Sequence, residues 1–264
     1  MDGSNLRQSA RACTRFLTTA LDRDWDKQIP EMDWSVRQVV AHIGTSLLWY
    51  AVDLSAGPKE LSTLELSVRP TEAPENLVAT LTAAATLLGH IVDSVQPGQR
   101  GWHPAGMADA SGFAAMGCDE LLIHTYDAAR GLGVTFDPPT VLSTLVLRRL
   151  FPSAPEDTDS WQTLLWANGR VALDDRPRQA EWHPHPAPAS LTGRHSSGLG
   201  ANMLRSPDLH SGAESRARRQ PGVGRELSGH TDKAGESSRG VGSPDPPLTP
   251  PDMRARIRRF VRLI

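Results

Sequence analysis

The chain has 264 residues, 39% hydrophobic and 22% charged, enough for one large domain or for a domain of ordinary size with an appendage. A formal net charge of -2 excludes a global basic field that would draw in nucleic acid, and two distant cysteines, Cys13 and Cys118, exclude a disulfide framework or a Cys-x-x-Cys site. The N-terminus lacks a basic region followed by an apolar run and no apolar stretch reads as long enough to span a bilayer, so the expectation is a cytoplasmic protein with neither nucleic acid nor membrane as partner.

From Leu6 to Leu21 the apolar residues Leu6, Ala10, Cys13, Leu17 and Ala20 recur every three or four positions, which predicts an amphipathic helix with Cys13 in its core stripe. Pro30 breaks the pattern, and Asp33 is a plausible N-cap for a second helix from about Trp34 into the fifties, stopped by Gly57-Pro58. His42 lies on that helix at the edge of the apolar stripe, with Gln38, Ser46 and Trp49 nearby at helical spacing. On spacing alone it is either a satisfied structural histidine or a ligand. Pro74 opens a third helix over 75–95, which Pro97-Gly98 ends. The stretch 100–109, with Gly-Trp-His-Pro-Ala-Gly-Met, reads as a loop whose His103 is solvated or lines a pocket.

A fourth helix carries Gly-Cys-Asp-Glu-Leu-Leu-Ile-His-Thr-Tyr-Asp-Ala-Ala-Arg-Gly-Leu-Gly at 117–133, ending at Gly131 or Gly133. Glu120 and His124, four residues apart, sit one turn above the other with side chains directed the same way, an arrangement able to offer two metal ligands. The small residues Gly117 and Ala128 flank the pair on the same ridge, which suggests an open surface where a third ligand or a substrate could approach. Asp127 is within reach of the same face and either orients His124 from outside the ligand set or accepts a surface hydrogen bond. Arg130 either meets a substrate carboxylate or complements the helix dipole. Cys118 points to another face.

Pro138-Pro139 start a further helix through about Leu150, and 160–168 supports a short last one. No alternating strand pattern precedes Arg170, so the expected class is all-α. The first domain is expected to span residues 1–186. Residues 188–252 contain no Phe, Trp, Tyr, Ile or Cys and are dense in Gly, Ser, Pro and Arg, so 187–264 is expected to be a disordered tail. From Met253 the sequence allows a short basic amphipathic terminal helix.

Taken together, Asp-Trp-Ser-Val-Arg-Gln-Val-Val-Ala-His at 33–42 and Cys-Asp-Glu-Leu-Leu-Ile-His-Thr-Tyr-Asp-Ala-Ala-Arg at 118–130 resemble the mycothiol-dependent maleylpyruvate isomerase family of the DinB-like metalloenzyme superfamily. Leu-Phe-Pro at 150–152 and Leu-Leu-Trp-Ala-Asn-Gly-Arg at 164–170 are similar to that family's C-terminal part. The resemblance implies a DinB-like four-helix bundle with extra C-terminal helices, and it implies a metal on His42, Glu120 and His124. The further C-terminal domain of the isomerase that names the family has no recognisable counterpart here. Two imidazoles and one carboxylate suit zinc or another divalent metal, and three protein ligands leave a fourth position open.

A thiol at that position would be deprotonated and become a nucleophile. In the family, the resemblance implies, this thiol is the cosubstrate mycothiol. Addition of the thiolate to a conjugated double bond, rotation and elimination would give cis–trans isomerisation; retention of the adduct or loss of a leaving group would make the protein an S-transferase. The partners expected are thus a low-molecular-weight thiol and a small electrophilic substrate. A non-catalytic metal-binding helical module and a metal-dependent hydrolase are the alternatives.

Overall fold

The computed structural model describes residues 1–180 and 184–188. The disordered tail and the basic terminal helix expected from the sequence therefore lie outside the described residues, but for 187 and 188. Within them the chain is all-α apart from one minimal hairpin, in the order α1 (Gly3–Thr18), α2 (Val36–Ala56), α3 (Pro74–Ser94), β1 (Arg100–Gly101), β2 (Ala108–Asp109), α4 (Ala110–Leu132), α5 (Thr140–Leu150) and α6 (Ser160–Ala167).

Local chemistry accounts for the helix ends. The Asp2 carboxylate accepts the Ser4 and Asn5 N–H groups while the Asn5 side chain accepts the Asp2 N–H, so α1 begins three residues before its apolar stripe. The cap of α2 is Ser35 rather than the expected Asp33. Ser35 and Gln38 form a reciprocal capping box, which moves the helix start to Val36. Pro74 occupies the first turn of α3, where its missing N–H costs nothing. Gly133, with φ of 67°, closes α4 in the left-handed conformation, its N–H turned back to the Ala129 and Arg130 carbonyls.

α2 packs on α3 and α4, and α1 packs on the same two helices, so the bundle runs α1–α3–α2–α4 around its axis with α5 and α6 layered on the outside of α4. The core is aliphatic: Leu6, Cys13 and Leu17 of α1, Ile43, Leu47 and Leu54 of α2, Leu81 and Leu88 of α3, and Leu121 of α4 are wholly buried. Each large aliphatic side chain so buried contributes about 1.5–3 kcal/mol. An aromatic seam of Phe16, Phe136, Trp161 and Tyr126, with ring centroids 4.9–6.0 Å apart, joins α6 to the bundle.

Two expectations need correction. α2 and α3, each 21 residues, are long and apolar enough by length and composition to cross a membrane, contrary to the reading that no stretch is. In the fold their apolar faces supply the bundle core, which is why both are so hydrophobic. The stretch 100–109 is not wholly a loop, because Arg100 pairs with Asp109 and Gly101 with Ala108. A pairing two residues deep is too short to show alternation. It is set by Gly101, where a Cβ would come within 2.7 Å of the Asp53 carbonyl oxygen and the Leu54 Cα on α2.

Candidate metal centre

α2 and α4 cross so that His42 meets the Glu120–His124 pair. Glu120 Oε2 stands 3.3 Å from His42 Nε2 and 3.3 Å from His124 Nε2. The two imidazoles are 5.0 Å apart and nearly perpendicular, and one donor atom from each of the three residues lies within 4.8 Å of the others. His124 is almost fully enclosed at 6% side-chain exposure, while His42 at 14% and Glu120 at 20% form the accessible rim.

Each donor is aimed by a neighbour. The Tyr50 hydroxyl donates to Glu120 Oε1 at 2.9 Å, which occupies one carboxylate oxygen and leaves Oε2 directed at the histidines. Oε2 is buried and makes no hydrogen bond despite its two imidazole neighbours. His124 Nδ1 lies 3.0 Å from Asp127 Oδ2; an ionised carboxylate only accepts, so the proton sits on Nδ1. Arg170 binds both oxygens of Asp127, Nη2 to Oδ2 at 2.8 Å and Nε to Oδ1 at 3.3 Å. On the rim, Trp34 meets the His42 ring edge-on at 5.3 Å and Ser46 Oγ lies 3.4 Å from His42 Nε2.

The charge states follow from burial and these contacts. Burial favours the neutral form of Glu120, but the two histidines outweigh it and hold its carboxyl well below the usual range. Burial would lower His124, yet Asp127 and Glu120 lift it to about 9. Burial would likewise raise Asp127, and the Arg170 charge and His124 hydrogen bond bring it to about 2. Tyr50 is driven well above its ordinary value by burial and by the Glu120 charge, so its hydroxyl remains a donor. The carboxyl of Asp119 is pushed up to about 7, by burial and then by Glu120, although Asn168 donates to it at 3.0 Å.

These residues fit a divalent cation. Tetrahedral zinc with bonds of about 2.0–2.1 Å separates its ligand atoms by about 3.3–3.4 Å, and both oxygen-to-nitrogen separations here are 3.3 Å. A buried carboxylate oxygen with no hydrogen bond, set between two imidazole nitrogens, is the partner such a cation lacks. His42 and Glu120 at the rim leave the approach from solvent for a fourth ligand.

The structure revises several expectations around this centre. Gly117 does not open a surface beside the pair: a Cβ there would meet Leu6 at 2.8 Å, Leu88 at 3.0 Å and Leu47 at 3.2 Å, so the glycine lets α4 pack closely on core leucines of α1, α3 and α2. Ala128 is buried too. Arg130 reaches Glu31 at 3.4 Å, a surface pairing, rather than a position beside the triad. Asp127 does bond His124, and Cys118 is buried with its thiol pushed up to about 12, away from the ligand set.

His103 is buried rather than solvated, edge-on to Tyr50 at 5.5 Å, and burial pushes it down to about 4. Tyr50 was legible in principle, two helical turns beyond His42 on the same face of α2. Arg170 and Asn168 lie in the turn after α6, where no spacing signals a contact with α4.

The family model described as Mycothiol maleylpyruvate isomerase N-terminal domain matches residues 6–129, a span that includes His42, Glu120 and His124. No curated protein and no solved structure matches the chain.

Proposed function

Because residues 6–129 match the family model of the mycothiol maleylpyruvate isomerase N-terminal domain, we propose that the chain is a divalent-metal enzyme that uses mycothiol as cosubstrate to isomerise, or transfer sulfur to, a small electrophilic molecule. The observation that carries this reading is a buried Glu120 Oε2 that makes no hydrogen bond and is held 3.3 Å from each of two histidine nitrogens. His42, Glu120 and His124 would hold the cation, and zinc suits two neutral nitrogens with one carboxylate. A cation so held supplies a fourth position at which a thiol loses its proton at neutral pH.

The chain's own side chains prepare that position. Tyr50 fixes Glu120 to one donating oxygen. Asp127 keeps a proton on Nδ1, so that Nε2 is the nitrogen left for the cation, which would replace any proton there. His124 is nearly enclosed, so the approach lies on the side of His42 and Glu120, the more exposed of the three. Trp34 beside His42 offers an apolar wall against which an unsaturated substrate can lie.

Isomerisation is addition of the thiol across a conjugated double bond, rotation about the resulting single bond, and elimination that regenerates the thiol. Transfer differs only in that the carbon–sulfur bond is kept. Calorimetric titration of the metal-loaded protein with mycothiol in two buffers of different ionisation enthalpy tests the reading. Proton release near neutral pH is expected with metal and not without it. Mycothiol binding without proton release, or no binding at all, would overturn it in favour of a hydrolase or a non-catalytic module.

A further inference from the structure

We propose that Arg170 is a positioning residue for the cation site, acting through Asp127 on His124. It rests on the reading of His42, Glu120 and His124 as metal ligands and adds to it a residue outside the family-matched span 6–129. α6 ends at Ala167, and the next three residues fold back on α4 as a turn. Gly169 takes φ of 68°, a conformation open to glycine at little cost, and the side chains on either side of it both reach α4. Asn168 donates to Asp119 Oδ1 at 3.0 Å, next to the ligand Glu120, and Arg170 spans both oxygens of Asp127. Arg170 Nη1 is anchored in turn on the Asn168 carbonyl at 2.8 Å, so the guanidinium plane is fixed by its own turn.

The reason for so much fixing lies in Asp127, which is wholly buried. A carboxylate in that setting with the imidazole as its one partner would be free to turn about its own bonds, and Nδ1 would lose a fixed acceptor. The fork of Arg170 supplies the opposite charge and keeps both Asp127 oxygens as acceptors, with Oδ2 turned to His124. The ring is thereby held with Nδ1 as donor and Nε2 facing Glu120. A buried ion pair that served only the fold would place no demand on a third group, but this one ends on a metal-ligand candidate. The α5–α6 layer thus contributes to the site by delivering one guanidinium.

The test measures cobalt and zinc affinity of the full chain by competition with a chromophoric chelator, together with the visible absorption of the cobalt form. Arg170→Gln is expected to weaken binding by about 10–100-fold, the usual effect of losing a partner behind a ligating histidine, and to displace the cobalt ligand-field bands. Arg170→Lys keeps the charge but not the fork, and an intermediate loss is expected; should the glutamine variant fail to fold, the lysine variant decides alone. Asp127→Asn is expected to weaken binding comparably, and the double variant no more than the worse single one, because both act along one path. Additive losses, or Arg170 variants that bind as tightly as the unaltered chain with unchanged bands, would overturn this inference alone. An unaltered chain that takes up neither metal would overturn the metal-site reading on which it rests.

Discussion

Three side chains that would be unremarkable singly become a site because they converge and because two of them have one donor atom already engaged. Tyr50 takes one oxygen of Glu120, and Asp127 takes one nitrogen of His124. With a ligand removed, the remaining two donors cannot complete a coordination shell. His42→Ala, Glu120→Ala and His124→Ala should each strip most of the metal from purified protein, while Cys118→Ser should retain it; elemental analysis reads this directly, and equal content in all four would dispose of the site. Tyr50→Phe should fold and bind more weakly, by about 10-fold or more, because Glu120 is then free to turn.

Asp127 also sets a pH signature on the metal-free protein. Its folded value of about 2 lies below the ordinary 3.8, so its stabilising contribution is full above about pH 4 and is lost as pH falls through about 2. Unfolding measured between pH 5 and 2 should lose stability more steeply in the unaltered chain than in Asp127→Asn. Parallel curves would mean that Asp127 is not held ionised.

At the scale of elements, the hairpin 100–109 shows how little freedom the site's surroundings have. Gly101→Ala would drive a Cβ into the α2 backbone at Asp53 and Leu54, where no side chain can move aside. A loss of about 1–3 kcal/mol in denaturant unfolding is expected, with His103 displaced from Tyr50. An unchanged midpoint would show that the strand does not lie against α2.

The helices themselves were legible because apolar residues at three- and four-residue spacing and glycine or proline stops act locally. The cap of α2 fell two residues from its expected place since both Asp33 and Ser35 can cap, and Gln38 three residues beyond Ser35 decides between them. Glu120 and His124 could be paired from spacing within one helix. His42 needed a family resemblance to join them, because nothing local says which face of α2 meets α4. Arg170 and the burial of His103 are tertiary outcomes with no periodic trace.

In the whole molecule, core and site occupy different parts of the same bundle. Leu88 and Leu81 lie in the aliphatic interior on α3, which supplies none of the three ligands. Leu81→Ala should therefore cost about 2–5 kcal/mol of stability while leaving one metal per folded chain. The site lies instead where α2 meets α4, and its more exposed side, at His42 and Glu120, is where a thiol would enter. The most direct measurement is titration of cobalt-substituted protein with mycothiol. Thiolate is a softer donor than imidazole or carboxylate, so a sulfur-to-cobalt charge-transfer band should grow, saturate with added thiol, and be missing from His124→Ala. Cobalt bound stoichiometrically, with no such band at saturating mycothiol, would contradict thiol use at this site.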